Sequence, residues 1–143
     1  MIVMNTLTGA VSEYVNFAFD SLTDTHAGNA TGLYTLGGDT DNGAEIVSEV
    51  VTGKTLWDSS LKKRLEQVYF SMKGEGSGEL IVRGEVDEHR YAFPVRASGE
   101  SRATPGKGIR ENYLAFGFSN ANGDAFTMDR IEVGVAQSQN RRV

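Results

Sequence analysis

The sequence contains no cysteine, two prolines, one tryptophan and two histidines. Without cysteine there is no disulfide, no thiolate metal site and no cysteine nucleophile, and folding does not depend on the redox state of the compartment. His26 and His89 lie far apart in the chain, too few and too separated for a histidine-built zinc site. Long apolar runs are missing as well. The opening MIVM is followed at once by Asn5 and Thr6, which is too short for a secretory core or a membrane span, so a soluble protein is expected, with residues 1–3 as a possible leader ahead of Met4. An excess of positive charge is also absent. The formal charge of −5 argues against binding nucleic acid or anionic membrane by bulk electrostatics, and neither partner is expected.

What is present points to strands and turns. The 143 residues are one ordinary domain's worth of chain, and a single domain over residues 1–143 is expected. Hydrophobic residues make up 39%, and 17 glycines with many Thr, Ser, Asn and Asp suit short strands better than long helices. Glu13, Val15, Phe17 and Phe19 alternate with polar or small neighbours as a first strand; residues 20–32 read as a loop; Leu33, Tyr34 and Leu36 begin a second strand. The GGDTDNG run at 37–43 predicts a hairpin leading into a strand over 44–52.

From residue 63 the periodicity becomes ambiguous. Val68, Phe70 and Met72 alternate as in a strand over 63–73, whereas Leu61 and Leu65 allow a helix over 59–67; the strand is the favoured reading. A GEGSG turn leads to a strand with Leu80, Val82 and Val86, followed by Tyr91, Phe93 and Val95, where Pro94 marks a sheet edge or a strand end. Residues 97–107 lack apolar alternation and read as a mobile surface loop. The stretch 105–135 then predicts a β-hairpin: Leu114, Phe116 and Phe118 on one strand, Asn120, Asn122, Gly123 and Asp124 in the turn, and Phe126, Met128, Ile131, Val133 and Val135 on the return. About eight short strands at regular spacing predict an all-β fold, a single antiparallel β-sandwich of jelly-roll or immunoglobulin-like character.

Candidate chemistry is sparse. Asp39, Asp41 and Gly43 have a D-x-D-x-G spacing, with Glu45 nearby, that is found around calcium, but carboxylates beside glycine are also what hairpin turns contain, and a plain turn is preferred. Asp20, Asp24 and His26 cluster without a second histidine, and Ser77 in GEGSG lacks the strand-to-helix setting of a nucleophile elbow. The GKGIR run at 106–110 lacks the complete phosphate-loop pattern. No enzyme activity and no cofactor are expected. Lys107 and Arg110, like Lys62, Lys63 and Arg64 and the terminal Arg141 and Arg142, are either solvated charges or groups that dock against an acidic neighbour.

Taken together, NTLTGAVSEYVNFAFDSL, GLYTLGGDTDNGAEI, LKKRLEQVYFSMKG, GKGIRENYLAFGFSNANGDAFTMDRIEV and the closing RRV resemble small tail- or baseplate-associated structural proteins of tailed bacteriophages and prophages. The resemblance implies a virion component, assembled in the host cytoplasm, that works by forming a cyclic homo-oligomer and by contacting other tail proteins. It carries no catalytic residue across. On this reading Lys62, Lys63, Arg64, Lys107, Arg110, Arg141 and Arg142 become interface candidates, and Tyr69, Tyr113 and Ile81, on strand faces expected to point outward, become anchors. The alternative is a carbohydrate-binding module for host attachment that uses Trp57, Tyr34 and Tyr91 in a shallow groove. The two roles of the 105–135 stretch separate experimentally: Phe116→Ala is expected to abolish cooperative unfolding or lower it by about 3–5 kcal/mol, whereas Arg110→Ala is expected to leave the melt intact and reduce assembly. Loss of folding in both variants would contradict that division.

Overall fold

A computed structural model describes residues 2–9, 11–13 and 17–137, which fall into two compact units, 1–43 and 44–143. All regular structure among the described residues is β: fifteen short strands, paired antiparallel in several sheets.

The first unit holds six of them. β1 (Ile2–Met4) pairs with β2 (Val11–Glu13), and β3 (Ser21–Leu22), β4 (His26–Asn29) and β5 (Gly32–Thr35) form a three-stranded meander. The loop expected over 20–32 is therefore largely strand, formed from small and polar residues whose alternation carries little hydrophobic signal. Of the strand expected over 13–19, residues 14–16 lie outside the described residues and 17–19 are not extended into a sheet. Phe17 and Phe19 instead meet edge to face at 4.6 Å, and Phe19 leans on Tyr34 at 5.6 Å. β6 (Thr40–Asp41) leads into the expected turn, where Asn42 and Gly43 take left-handed conformations.

The second unit contains β7 (Ala44–Glu45), β8 (Glu49–Val51), β9 (Lys63–Gly74), β10 (Ser77–Arg83), β11 (Glu88–Pro94), β12 (Glu100–Ala103), β13 (Arg110–Glu111), β14 (Ala115–Ser119) and β15 (Phe126–Gln137). One sheet runs β11-β10-β14-β8. In the other, β12 and β13 lie end to end along one side of β9 while β15 follows the whole of the other side. The strand favoured at 63–73 is β9, and the helical alternative is overturned. Pro94 ends β11, an edge strand, where a missing N–H costs no ladder bond.

The hairpin expected over 105–135 does not form. β14 pairs with β10 and β8, and β15 pairs with β9, so the turn at 120–125 carries the chain from one sheet to the other. Asn120 explains the crossing. Its buried side chain accepts from Ser48 N at 2.6 Å and donates to Ile46 O and Asp124 O at 3.1 and 3.0 Å, which ties the turn to residues 46–48 instead of letting it fold back on itself. The GEGSG turn makes a second crossing between sheets, from β9 to β10, and Val86 is exposed beyond the end of β10. Residues 97–107 are not simply a loop either: β12 buries Ser101 and Ala103, side chains too small to register as hydrophobic periodicity.

The core lies between the inward faces of the two sheets. Val68, Phe70 and Met72 of β9 meet Leu80 and Val82 of β10, Phe93 of β11, and Phe116 and Phe118 of β14. Phe70 stacks on Phe93 at 4.8 Å, Phe118 meets Phe70 at 5.6 Å, and Phe126 of β15 meets Phe118 at 4.7 Å. Burial of each ring is worth about 1.5–3 kcal/mol before the entropy of ordering it is counted. Gly78 is required beside this cluster, since a Cβ there would stand 2.3 Å from the Phe118 ring.

Among the described residues one charged side chain lies inside. Lys63 is 0% exposed, and its Nζ donates to the carbonyls of Ser59 (2.5 Å), Leu61 (3.2 Å) and Asn112 (3.2 Å), matching its three N–H groups with three acceptors. It fastens the 59–61 segment and residue 112 to the start of β9. Replacing it with methionine preserves the apolar stem and orphans the carbonyls; Lys63→Met is expected to lower unfolding stability by about 2–3 kcal/mol, read by urea denaturation, and an unchanged midpoint would contradict this role.

Candidate interaction surface

The outer face of β9 gathers part of the predicted set. Arg64, Tyr69 and Lys107 line one cleft of about 660 Å³, together with Glu66, Gln67 and Pro105. The Tyr69 hydroxyl donates to Gln67 Oε1 at 2.5 Å, and Arg64 pairs with Glu66 at 3.5 Å. Strand register extends the basic character of this face: Arg110 on β13 is the partner of Arg64, and Arg102 on β12 is the partner of Tyr69. The carboxylates sharing the face are already engaged, Glu66 by Arg64 and Glu100 and Glu132 by Arg130 at 3.9 and 3.2 Å. Arg102, Lys107 and Arg110 make no ion pair among the described residues, so the cleft and its margin carry an excess of cations.

The remaining predicted residues separate. Lys62 and Tyr113 are exposed, away from this lining. Lys63 is not a surface group, because the ladder of β9 turns it inward and three carbonyls hold it there. Ile81 is also withdrawn, being 0% exposed. Arg141 and Arg142 lie outside the described residues.

Ile81 is covered for a physical reason. It belongs to the outer face of β10, where its neighbours across the ladders are Arg90 and Gly117. Arg83 reaches Glu88 (2.6 Å) and Glu49 (2.9 Å), while Arg90 reaches Glu49 and Glu88 (both 2.8 Å) and Glu79 (3.4 Å). Ala115, Gly117 and Ser119 provide a lane of small residues on β14, which allows Glu49 of β8 to span to Arg83 two strands away and Arg90 three strands away. A Cβ at Gly117 would come within 2.5 Å of Val50 O. Hydrogen bonds from Arg83 and then Arg90 hold the Glu88 carboxyl below its ordinary value, and the two guanidiniums are correspondingly raised by their carboxylates.

Trp57, half-exposed, lines a separate shallow depression of about 550 Å³ formed by residues 55–60. Its Nε1 donates to Leu114 O at 2.7 Å and its ring leans on Phe116 at 5.5 Å. Trp57 and Asp58 both have left-handed backbones, φ 46° and 59°. Tyr91 packs against the core from β11 and does not line this depression, and Tyr34 belongs to the first unit. Among the described residues no group of three or more His, Asp or Glu side chains gathers to hold a metal, at Asp39 and Asp41 or elsewhere. His26 meets Thr25 Oγ1 at 2.9 Å within the β3–β4 turn, where Asp20 and Asp24 are exposed.

The most telling surface is one that strand periodicity did not reveal. In residues 1–43 the only buried described side chain is Ala27, while Ile2, Met4, Leu7, Val11, Leu22 and Leu33 are exposed, Leu7 to 95%. The same segment carries Glu13, Asp20, Asp24, Asp39 and Asp41 and no lysine or arginine, so the whole −5 of the chain resides there. Residues 44–143 balance fourteen bases against fourteen acids. This asymmetry was available from counting charge by segment.

Comparison with known proteins gave no matching family model, no matching curated protein and no matching solved structure.

The ion network on the β8-to-β11 sheet gives a pH signature. Since the Glu88 carboxyl is depressed in the folded state, its contribution is present above the unfolded value of about 4.3 and lost as pH falls through the lower folded value. Urea midpoints compared between wild type and Glu88→Gln are therefore expected to differ at neutral pH and converge on acidification. A difference that did not change with pH would contradict the assignment.

Proposed function

We propose that this protein is a structural component of a bacteriophage tail or baseplate, assembled in the host cytoplasm and acting through contacts with copies of itself and with neighbouring tail proteins. Residues 44–143 are read as a two-sheet β-sandwich scaffold, on the strength of inward faces that share one aromatic core. The observation that carries the proposal is the first unit, whose described residues include several exposed large hydrophobics and, as the one buried side chain, an alanine. A segment of this length without disulfides, and with so little apolar burial among its described residues, gains little from folding in isolation. Exposed apolar groups concentrated in one such segment are the mark of a surface that is completed by another chain.

A second reading rests on Trp57. Its partly exposed ring in an open depression has the form of a sugar-stacking site in a glycan-binding module. The two readings diverge under test. Assembly predicts a discrete oligomer of the purified chain by sedimentation velocity and incorporation into virions, both unaffected by Trp57→Ala. Glycan binding predicts array signals that Trp57→Ala removes. A strictly monomeric protein that also failed to associate with tail proteins in virions would overturn the assembly reading.

A further inference from the structure

We infer that the basic cleft on the outer face of β9 receives residues 1–43 of a second copy of this chain, making a head-to-tail contact that repeats from copy to copy. This rests on the assembly reading and names both halves of the interface.

Charge identifies the occupant. The cleft and its margin present Arg64, Arg102, Lys107 and Arg110, and the carboxylates on the same face are committed to Arg64 and Arg130. Of the two units, 1–43 is the one with a net charge of the opposite sign, with five carboxylates and no base. Asp20, Asp24, Asp39 and Asp41 are all exposed. Opposed fields of this kind orient the encounter and fix its register more than they add raw affinity. Affinity comes from the apolar groups. Ile2, Leu7, Val11, Leu22 and Leu33 project from the acidic segment, and in the cleft the half-buried Tyr69 ring offers them an apolar face.

The two surfaces are different patches on the same chain; a twofold could exchange them reciprocally between two copies, and the cyclic homo-oligomer implied by the resemblance selects the head-to-tail form. Each copy offers one acidic segment and one cleft, and such a contact propagates until rotation closes it into a ring.

The test uses the full chain. Variant A reverses the cleft with Arg64→Glu, Lys107→Glu and Arg110→Glu; variant B reverses the segment with Asp20→Lys, Asp24→Lys and Asp39→Lys. Circular dichroism melts establish that each is folded; should A unfold, Arg64→Gln with Lys107→Gln replaces it with the same expected direction. Sedimentation velocity is expected to show an oligomer for wild type, association at least ~10-fold weaker for A and for B alone, and recovery of the oligomer on mixing A with B, because each then meets an opposite charge on the other. High salt is expected to weaken the wild-type oligomer. Wild-type assembly by A and B would overturn the inference and leave the assembly reading standing, as would failure of the mixture to recover. A wild type that stays monomeric at its highest soluble concentration overturns the inference, and if it is also absent from virions the assembly reading falls with it. Retention of a monomeric wild type on a heparin column, lost in A, would reassign the cleft to an anionic polymer and equally overturn the inference.

Discussion

Four phenylalanine rings set the terms for residues 44–143. Phe70 and Phe126 come from one sheet, Phe93 and Phe118 from the other, and their contacts of 4.7 to 5.6 Å leave no room for the sheets to slide. Other features of the unit serve this packing. β9 must be long enough to carry β12 and β13 on one side and β15 on the other; Gly78 must lack a side chain where the Phe118 ring passes; and the turn at 120–125 must deliver Phe126 to the opposite sheet from Phe118. Asn120 holds that turn, and Lys63 closes the entrance to β9 by satisfying three carbonyls. Buried polar groups so fully matched specify one arrangement of the chain, since any other would orphan them.

With the interior settled, the outer faces are free to differ. One is closed by a self-contained ion network above Ile81, where each arginine shares carboxylates from two or more strands. The other leaves Arg102, Lys107 and Arg110 unneutralised around a cleft. Residues 1–43 have the complementary character, anionic and apolar, with Ala27 the one buried side chain among the described residues. On the proposed assembly, this segment would gain its burial from a neighbour.

Much of the strand content was legible in the sequence, and little of the pairing was. Alternation at Val68, Phe70 and Met72 located β9, and Pro94 located an edge, because both signals are local consequences of the pleat and of a missing N–H. The same alternation at Leu114 to Phe118 and Phe126 to Val133 gave two strands correctly but joined them as a hairpin. Which strand lies beside which depends on distant residues: here on the side chain of Asn120 reaching residues 46–48. β12 was missed because Ser101 and Ala103 bury well without looking hydrophobic, and Lys63 was misread because a lysine's burial depends on carbonyls elsewhere in the fold. Of the interface candidates, Arg64, Tyr69, Lys107 and Arg110 came together across forty residues of chain. The segregation of charge into residues 1–43 needed no structure at all, only a count by segment.

On the proposed assembly, residues 44–143 carry the stability of the chain and residues 1–43 acquire theirs from a neighbouring copy. Hydrogen exchange read by mass spectrometry tests it most directly, on the full chain in its dilute monomeric form and again when assembled. The account predicts that amides of β9, β10 and β14 exchange slowly in both, and that amides of β1 to β5 exchange fast in the monomer and become protected on assembly. Protection of β1 to β5 in the dilute monomer equal to that of β9 would contradict it.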